Sequence, residues 1–133
     1  MNAPPPLVRY MIICDDAVVD PRRPQKPVIV GLTCRVNSSG QPPYPTRLER
    51  LTVFLVLTNG HGEGTGWIRI IFEETEELIF ETSHRSMQFG NDPLRLAGIK
   101  FQIMECPFPK PGVYRIEFWY NNECLAHQTL ECR

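Results

Sequence analysis

The residues Val113–Tyr120 alternate between two sets of side chains, and this alternation constrains the fold more than any other stretch. One set faces a predicted core and consists of Tyr114, Ile116, Phe118 and Tyr120. A period of two is typical of a half-buried β-strand. Asn121-Asn122 follows, and both residues tolerate the positive φ that a tight hairpin turn requires. The last quarter of the chain therefore predicts an antiparallel hairpin.

The rest of the chain favours the same architecture, because no long stretch shows helical periodicity and 13 of the 133 residues are proline. We predict an all-β fold, a single antiparallel β-sandwich of the immunoglobulin-like or a related type with about seven to eight strands. It spans residues 8–133 and follows a Pro-rich N-terminal tail over residues 1–7. The predicted strands before the hairpin are Leu7–Cys14, Val28–Val36, Arg47–Thr58, Trp67–Glu74, a strand from Leu78, and Leu94–Cys106.

The charge balance sets expectations about partners and location. Lys and Arg number 14 against 15 Asp and Glu, a net charge of −1. Such a balance gives no global reason to expect nucleic acid or an anionic membrane, so we expect neither as a partner. The one local basic cluster is Arg22-Arg23 with Lys26. We expect a cytoplasmic protein, because no secretory leader pattern is visible and the five cysteines are scattered as in proteins with free thiols.

Three patterns resemble ligand sites, and each has a simpler interpretation. Gly60–Gly66 is rich in glycine like a phosphate-binding loop, but a strand follows it where such a loop needs a helix. Cys124, His127 and Cys132 could hold zinc only if the strand were broken, since Cys124 and Cys132 lie about 26 Å apart along a regular strand. We therefore predict no metal site here.

The loop after the first strand carries Asp15, Asp16 and Asp20, whose oxygens are the ligands that calcium prefers. We favour a turn in which Asp15 or Asp16 accepts backbone N–H groups, and calcium remains the alternative.

Acyl-transfer chemistry has little support. The chain has no G-x-S-x-G elbow, and the three histidines lie in unrelated contexts. We predict a protein that is not an enzyme, with no catalytic residue and no cofactor. An enzyme that uses Cys106 or the acidic segments is the weaker alternative.

Trp119 is the most interesting aromatic residue. It shares the face opposite the predicted core with Arg115 and Glu117, so we predict that these three residues form an interaction surface. The simpler alternative is that Trp119 covers the hydrocarbon stems of its neighbours.

Three segments together resemble a known family: Met11–Ala17, Leu51–Thr58 with the Gly-rich turn after it, and Pro107–Tyr120 with its Pro-x-Pro-Gly-x-Tyr order. They resemble DUF6941, a bacterial family of unknown function, over nearly the whole chain from about residue 8. The resemblance implies a small β-sandwich and no established activity, and it supplies no site residues. Our prediction is a protein-interaction or scaffold module that binds another protein or itself. The alternative is a small-ligand or carbohydrate-binding β-sandwich.

Overall fold

The computed structural model describes residues 4–23, 26–38, 43–92 and 94–133, and the residues described form ten β-strands and no helix. The prediction of an all-β chain is confirmed. The strands are β1 Leu7–Val18, β2 Val28–Leu32, β3 Arg35–Val36, β4 Thr46–Thr58, β5 Gly62–Phe72, β6 Glu77–Glu81, β7 Arg85–Gly90, β8 Ala97–Phe108, β9 Gly112–Tyr120 and β10 Glu123–Cys132. None of the residues described belongs to a helix that could cross a membrane.

The strands form two sheets. A four-stranded sheet has the order β2-β1-β4-β8, and a six-stranded sheet has the order β3-β10-β9-β5-β6 with β7 also paired to β5. All pairings are antiparallel except that of β3 with β10, which is parallel. The predicted strand Val28–Val36 is two strands, β2 and β3, which lie in different sheets. This division and the short strand β7 raise the count above the seven to eight predicted.

Both sheets contribute to one continuous hydrophobic core. The four-stranded sheet supplies Leu51, Val53, Leu55 and Leu57 of β4, and the six-stranded sheet supplies alternate residues of β5 and β9. The predicted inward set of β9 is confirmed: Tyr114, Ile116 and Phe118 are fully buried, and Tyr120 is 3% exposed. The turn after it has positive φ at both Asn121 and Asn122, as predicted.

A second, smaller cluster lies on the other face of the four-stranded sheet. Phe54 is only 2% exposed there and contacts the fully buried Cys14 and Ala17. Partly buried Ile12, Ile29 and Val56 pack against them. β4 therefore has buried apolar residues on both of its faces.

The end of β1 provides part of this cover. β1 pairs with β4 only as far as Cys14, and Asp16 then bonds to β8, the strand beyond β4. Nζ of Lys100 donates to Asp16 Oδ1 at 3.0 Å and to the carbonyl oxygen of Ala17 at 3.1 Å. The β1–β2 hairpin therefore crosses the outer side of β4 and brings Ala17 over Phe54.

Candidate binding surfaces on the two sheets

The outer face of the six-stranded sheet carries a cluster of aromatic and charged side chains, which we call the Trp119 surface. It consists of Arg115, Glu117 and Trp119 of β9 with Trp67 and Arg69 of β5. These residues alternate with the buried residues of the core, so they lie on the opposite face. Trp67 is the cross-strand partner of Trp119, and Arg69 is the partner of Glu117.

Glu117 is the centre of a hydrogen-bonded chain on this surface, although it is only 9% exposed. Its Oε1 accepts from the indole Nε1 of Trp119 at 2.9 Å, and its Oε2 accepts from Nε of Arg115 at 2.8 Å. The two terminal nitrogens of Arg115 donate to the carboxylate of Glu76 at 3.1 and 2.5 Å. The bonds to Glu76 and Glu117 raise the pKa of Arg115, and the same contact with Arg115 lowers the pKa of Glu76.

The rings of the Trp119 surface are stacked. The indoles of Trp67 and Trp119 lie 6.4 Å apart between centroids with an interplanar angle of 13°. His84, in the segment between β6 and β7, stacks on Trp67 at 3.8 Å and 10°. The guanidinium carbon of Arg69 lies 5.1 Å from the centroid of the Trp119 ring, which is cation–π distance. Trp67 is thus stacked with two rings, and Trp119 contacts one ring and the guanidinium of Arg69.

A groove of about 640 Å³ is lined by the four-stranded sheet and by β7, which pairs with β5 of the other sheet. Its apolar lining includes Ile12, Ile29, Phe54 and Val56 of the second cluster, together with Met87 and Phe89 of the main core and Ile99 packed against that core. Arg85 and Arg95 also line it, and Tyr10 at its border is 58% exposed. This groove was not predicted from the sequence. In the sequence, the one sign of the groove was the second apolar face of β4, formed by Phe54 and Val56. The alternation of side chains does not show whether such a face is covered or open.

The three acidic residues considered for calcium do not converge. Asp16 is held by Lys100 and also accepts from Nε2 of Gln102 at 3.2 Å, while Asp20 accepts the backbone N–H of Arg22. The bond from Lys100, and then that from the Ala17 N–H, lowers the pKa of Asp16. Asp15 and Asp16 lie within β1 and not in the predicted loop. No group of three potential ligands for a metal ion occurs among the residues described.

The cysteines differ sharply in environment. Cys14, Cys106 and Cys132 are buried, whereas Cys34 and Cys124 are exposed, and all five are free thiols. Burial raises the pKa of both Cys106 and Cys132 to about 12. A register shift between Cys124 and Ala126 brings Cys124 opposite Trp119 and His127 opposite Glu117. His127 therefore shares a face with Cys124, contrary to the expectation for an unbroken strand, while Cys132 lies buried at the far end of β10.

The chain belongs to a protein family of unknown function, DUF6941, whose model matches residues 9–133. This confirms the family resemblance of the sequence. No curated protein matches the chain.

One similar solved structure is that of the Pseudomonas fluorescens alkylpurine DNA glycosylase AlkC, bound to DNA containing an abasic site analog. The two share 12% sequence identity with a TM-score of 0.56, and the similarity covers 98% of this chain and 31% of the glycosylase. This chain thus spans about a third of that protein, and the similarity is one of fold. The prediction that excluded nucleic acid as a partner is nevertheless wrong, because it rested on net charge alone and the same fold occurs in a protein bound to DNA.

Proposed function

We propose that this protein is a non-catalytic interaction module that binds a protein partner through the Trp119 surface. In this proposal residues 8–133 form one β-sandwich domain of the immunoglobulin-like or a related type. The observation that carries it is the stack of Trp119, Trp67 and His84, which Arg69 and the Glu117 carboxylate hold in place. Trp and Arg are the residues that most often dominate the energy of protein interfaces.

Preorganisation supports this choice of surface. A side chain that is already fixed loses little conformational entropy when a partner binds, so more of the contact energy appears as affinity. The indole of Trp119 is fixed by a hydrogen bond at one edge and by the cation of Arg69. Its partial exposure leaves area for contact.

The surrounding charge indicates the kind of partner. The turn between β5 and β6 carries Glu73, Glu74 and Glu76, and Glu81 follows on β6. Arg115 and Arg69 neutralise part of this charge, and acidic residues remain in excess at this side of the sheet. We infer that the partner presents a basic surface, because complementary potentials favour association.

The proposed absence of catalysis has support in the thiols. A thiolate is the reactive form of cysteine, and a pKa of about 12 keeps Cys106 and Cys132 protonated at neutral pH. The five free cysteines also support the proposal that the protein works in the cytoplasm, where thiols stay reduced.

To test this proposal, binding partners are isolated from the source cell with the tagged protein. The affinity between the purified partner and the purified protein is then measured. We expect Trp119→Ala to weaken binding by more than tenfold at unchanged melting temperature. Tyr10→Ala, a change of an exposed aromatic residue on the other sheet, should leave affinity unchanged. Equal affinity of wild type and Trp119→Ala would refute this surface.

Nucleic acid is a second candidate partner. The segment after β1 carries the exposed cations Arg22, Arg23 and Lys26 against the single carboxylate of Asp20. Clustered cations that contact phosphates release counterions, so binding through them weakens steeply with salt. Fluorescence anisotropy of a labelled oligonucleotide should then show affinity that falls with salt and that the double variant Arg22→Ala/Arg23→Ala reduces. Affinity that is the same in wild type and double variant would exclude this segment.

A further inference from the structure

The groove on the four-stranded sheet has the size and the floor of a ligand site. Its volume of about 640 Å³ lies within the range of small-molecule pockets, roughly 300–1,000 Å³. Ile12, Ile29 and Val56 form a floor over Phe54, and all three remain partly accessible. The aliphatic side chains of Ile12, Ile29 and Val56 suit a hydrocarbon chain, and Ser86, Gln88 and two arginines of the lining supply polar groups for the other end of a ligand.

Two structural features fix the shape of this floor. The bonds from Lys100 to Asp16 and Ala17 hold the β1–β2 hairpin over the sheet. Gly98 of β8 lets the ring of Phe54 approach the backbone, since a Cβ at this position would lie 3.2 Å from Phe54 Cζ. The floor is therefore set by ordered contacts before any ligand binds.

The charges around the groove have one sign. Among the described residues that line it, the charged ones are Arg85 and Arg95, and none is acidic. Arg85 donates from Nη1 to the carbonyl oxygen of Lys100 at 2.7 Å and lies over the ring of Phe101. Arg95 is exposed and forms no ion pair with any residue that the structure describes. A ligand that fills the groove meets positive charge at its border.

We propose that this groove binds a fatty acid, with the hydrocarbon chain on Ile12, Ile29 and Val56 and the carboxylate on Arg95. The apolar floor and the cationic border are complementary to the two ends of such a molecule. Arginine suits this role because its guanidinium can donate two parallel hydrogen bonds to a carboxylate. None of the described residues that line the groove belongs to the Trp119 surface, so this is a function beyond the one proposed above.

Isothermal titration with laurate below its critical micelle concentration tests the site. Dodecyltrimethylammonium has a chain of the same length with the opposite charge, and it should bind at least tenfold more weakly. Arg95→Glu should weaken laurate binding by on the order of tenfold or more, the usual effect of a lost charge-assisted hydrogen bond. Arg47→Glu, an equal charge change at an exposed position outside the groove, should have no effect.

Nuclear magnetic resonance locates the ligand and separates this test from that of the Trp119 surface. Laurate should shift the amide signals of Gly98 and Ile29, and Trp119→Ala should leave laurate affinity unchanged. No binding of laurate, equal binding of the two surfactants, or equal affinity of Arg95→Glu and wild type would each overturn the proposal. Binding of a single-stranded oligonucleotide or of phosphatidylglycerol vesicles without binding of laurate would overturn it as well.

Discussion

The indole N–H of Trp119 donates a hydrogen bond to the carboxylate of Glu117, two residues earlier on the same strand, at 2.9 Å. Both side chains lie on the face of the six-stranded sheet that is turned away from the core, and yet Glu117 is almost fully buried. The other oxygen of this carboxylate binds Arg115. A buried carboxylate on an outer face is therefore the element that orders the proposed binding surface.

Replacement of Glu117 by alanine should destabilise the protein, because it leaves the Trp119 and Arg115 donors without their acceptor. Hydrogen bonds to charged groups contribute about 1.5–3 kcal/mol each in typical cases, so we expect a loss of about 2 kcal/mol in the free energy of unfolding. Urea denaturation measures it. Glu123→Ala, at an exposed position of β10, is the control and should change stability by less than about 0.5 kcal/mol. A Glu117→Ala variant as stable as this control would show that the hydrogen bonds of Glu117 do not order the Trp119 surface.

Phe54→Ala should reveal whether the outer cluster of the four-stranded sheet acts as a true core. Removal of a buried Phe side chain costs about 3–5 kcal/mol, and Phe54 is 2% exposed. We expect a loss of about 3 kcal/mol in urea denaturation, because the groove lets part of the site relax. A loss below about 1 kcal/mol would mean that Phe54 is effectively a surface residue.

Asp16 should make stability depend on acidity. Its pKa is lower in the folded protein than its ordinary value of 3.8, chiefly because it accepts the bond from Lys100. The stabilisation is thus present above about pH 4 and is lost as pH falls through the depressed folded pKa. Asp16→Asn should be less stable than wild type at neutral pH, and the gap should close in acid. Glu49→Gln is the control. A difference in stability between wild type and Asp16→Asn that persists at low pH would contradict this account.

Thiol chemistry should separate the five cysteines into two groups. Cys34 and Cys124 are exposed and should react with a disulfide reagent in the native protein at pH 8, Cys124 more slowly because partial burial and the Glu117 carboxylate raise the pKa of its thiol. Burial raises the pKa of Cys14, Cys106 and Cys132, so their thiols should react only after denaturation. Titration in native and denaturing buffer, with mass spectrometry to assign the sites, measures this. Rapid reaction of Cys106 in the native protein would revive the view that it is a nucleophile.

Local alternation was enough to predict the strands that face the core and to place Arg115, Glu117 and Trp119 on the opposite face of β9. Tyr114 to Tyr120 and Leu51 to Leu57 each follow a period of two, and burial of one face follows directly from that period. The hydrogen bonds from Arg115 to Glu76 could not be predicted, because they join β9 to the turn between β5 and β6. Pairing between distant strands decides such contacts.

The structure of the glycine-rich stretch Gly60–Gly66 also could not be predicted from local sequence. The sequence predicts a Gly-rich turn after Thr58 and a strand that begins at Trp67, whereas β5 begins at Gly62 and contains Gly64 and Gly66. A Cβ at Gly64 would lie 2.0 Å from Oη of Tyr120, and a Cβ at Gly66 would lie 2.5 Å from Cε of Met87. Glycine is thus needed for close packing here, a reason that local sequence does not reveal.

Photo-crosslinking from Cys124 tests the central claim most directly. Cys124 is exposed and lies opposite Trp119 on the neighbouring strand, so a benzophenone maleimide attached to it in the Cys34→Ser variant samples the Trp119 surface. Cys34, labelled in the Cys124→Ser variant, is the matched control. Our account predicts that, in lysate of the source cell, the Cys124 probe crosslinks one protein in high yield, that Trp119→Ala abolishes this product, and that the Cys34 probe does not form it. The same product from both probes, or one that persists in Trp119→Ala, would contradict the proposal that this surface binds the partner.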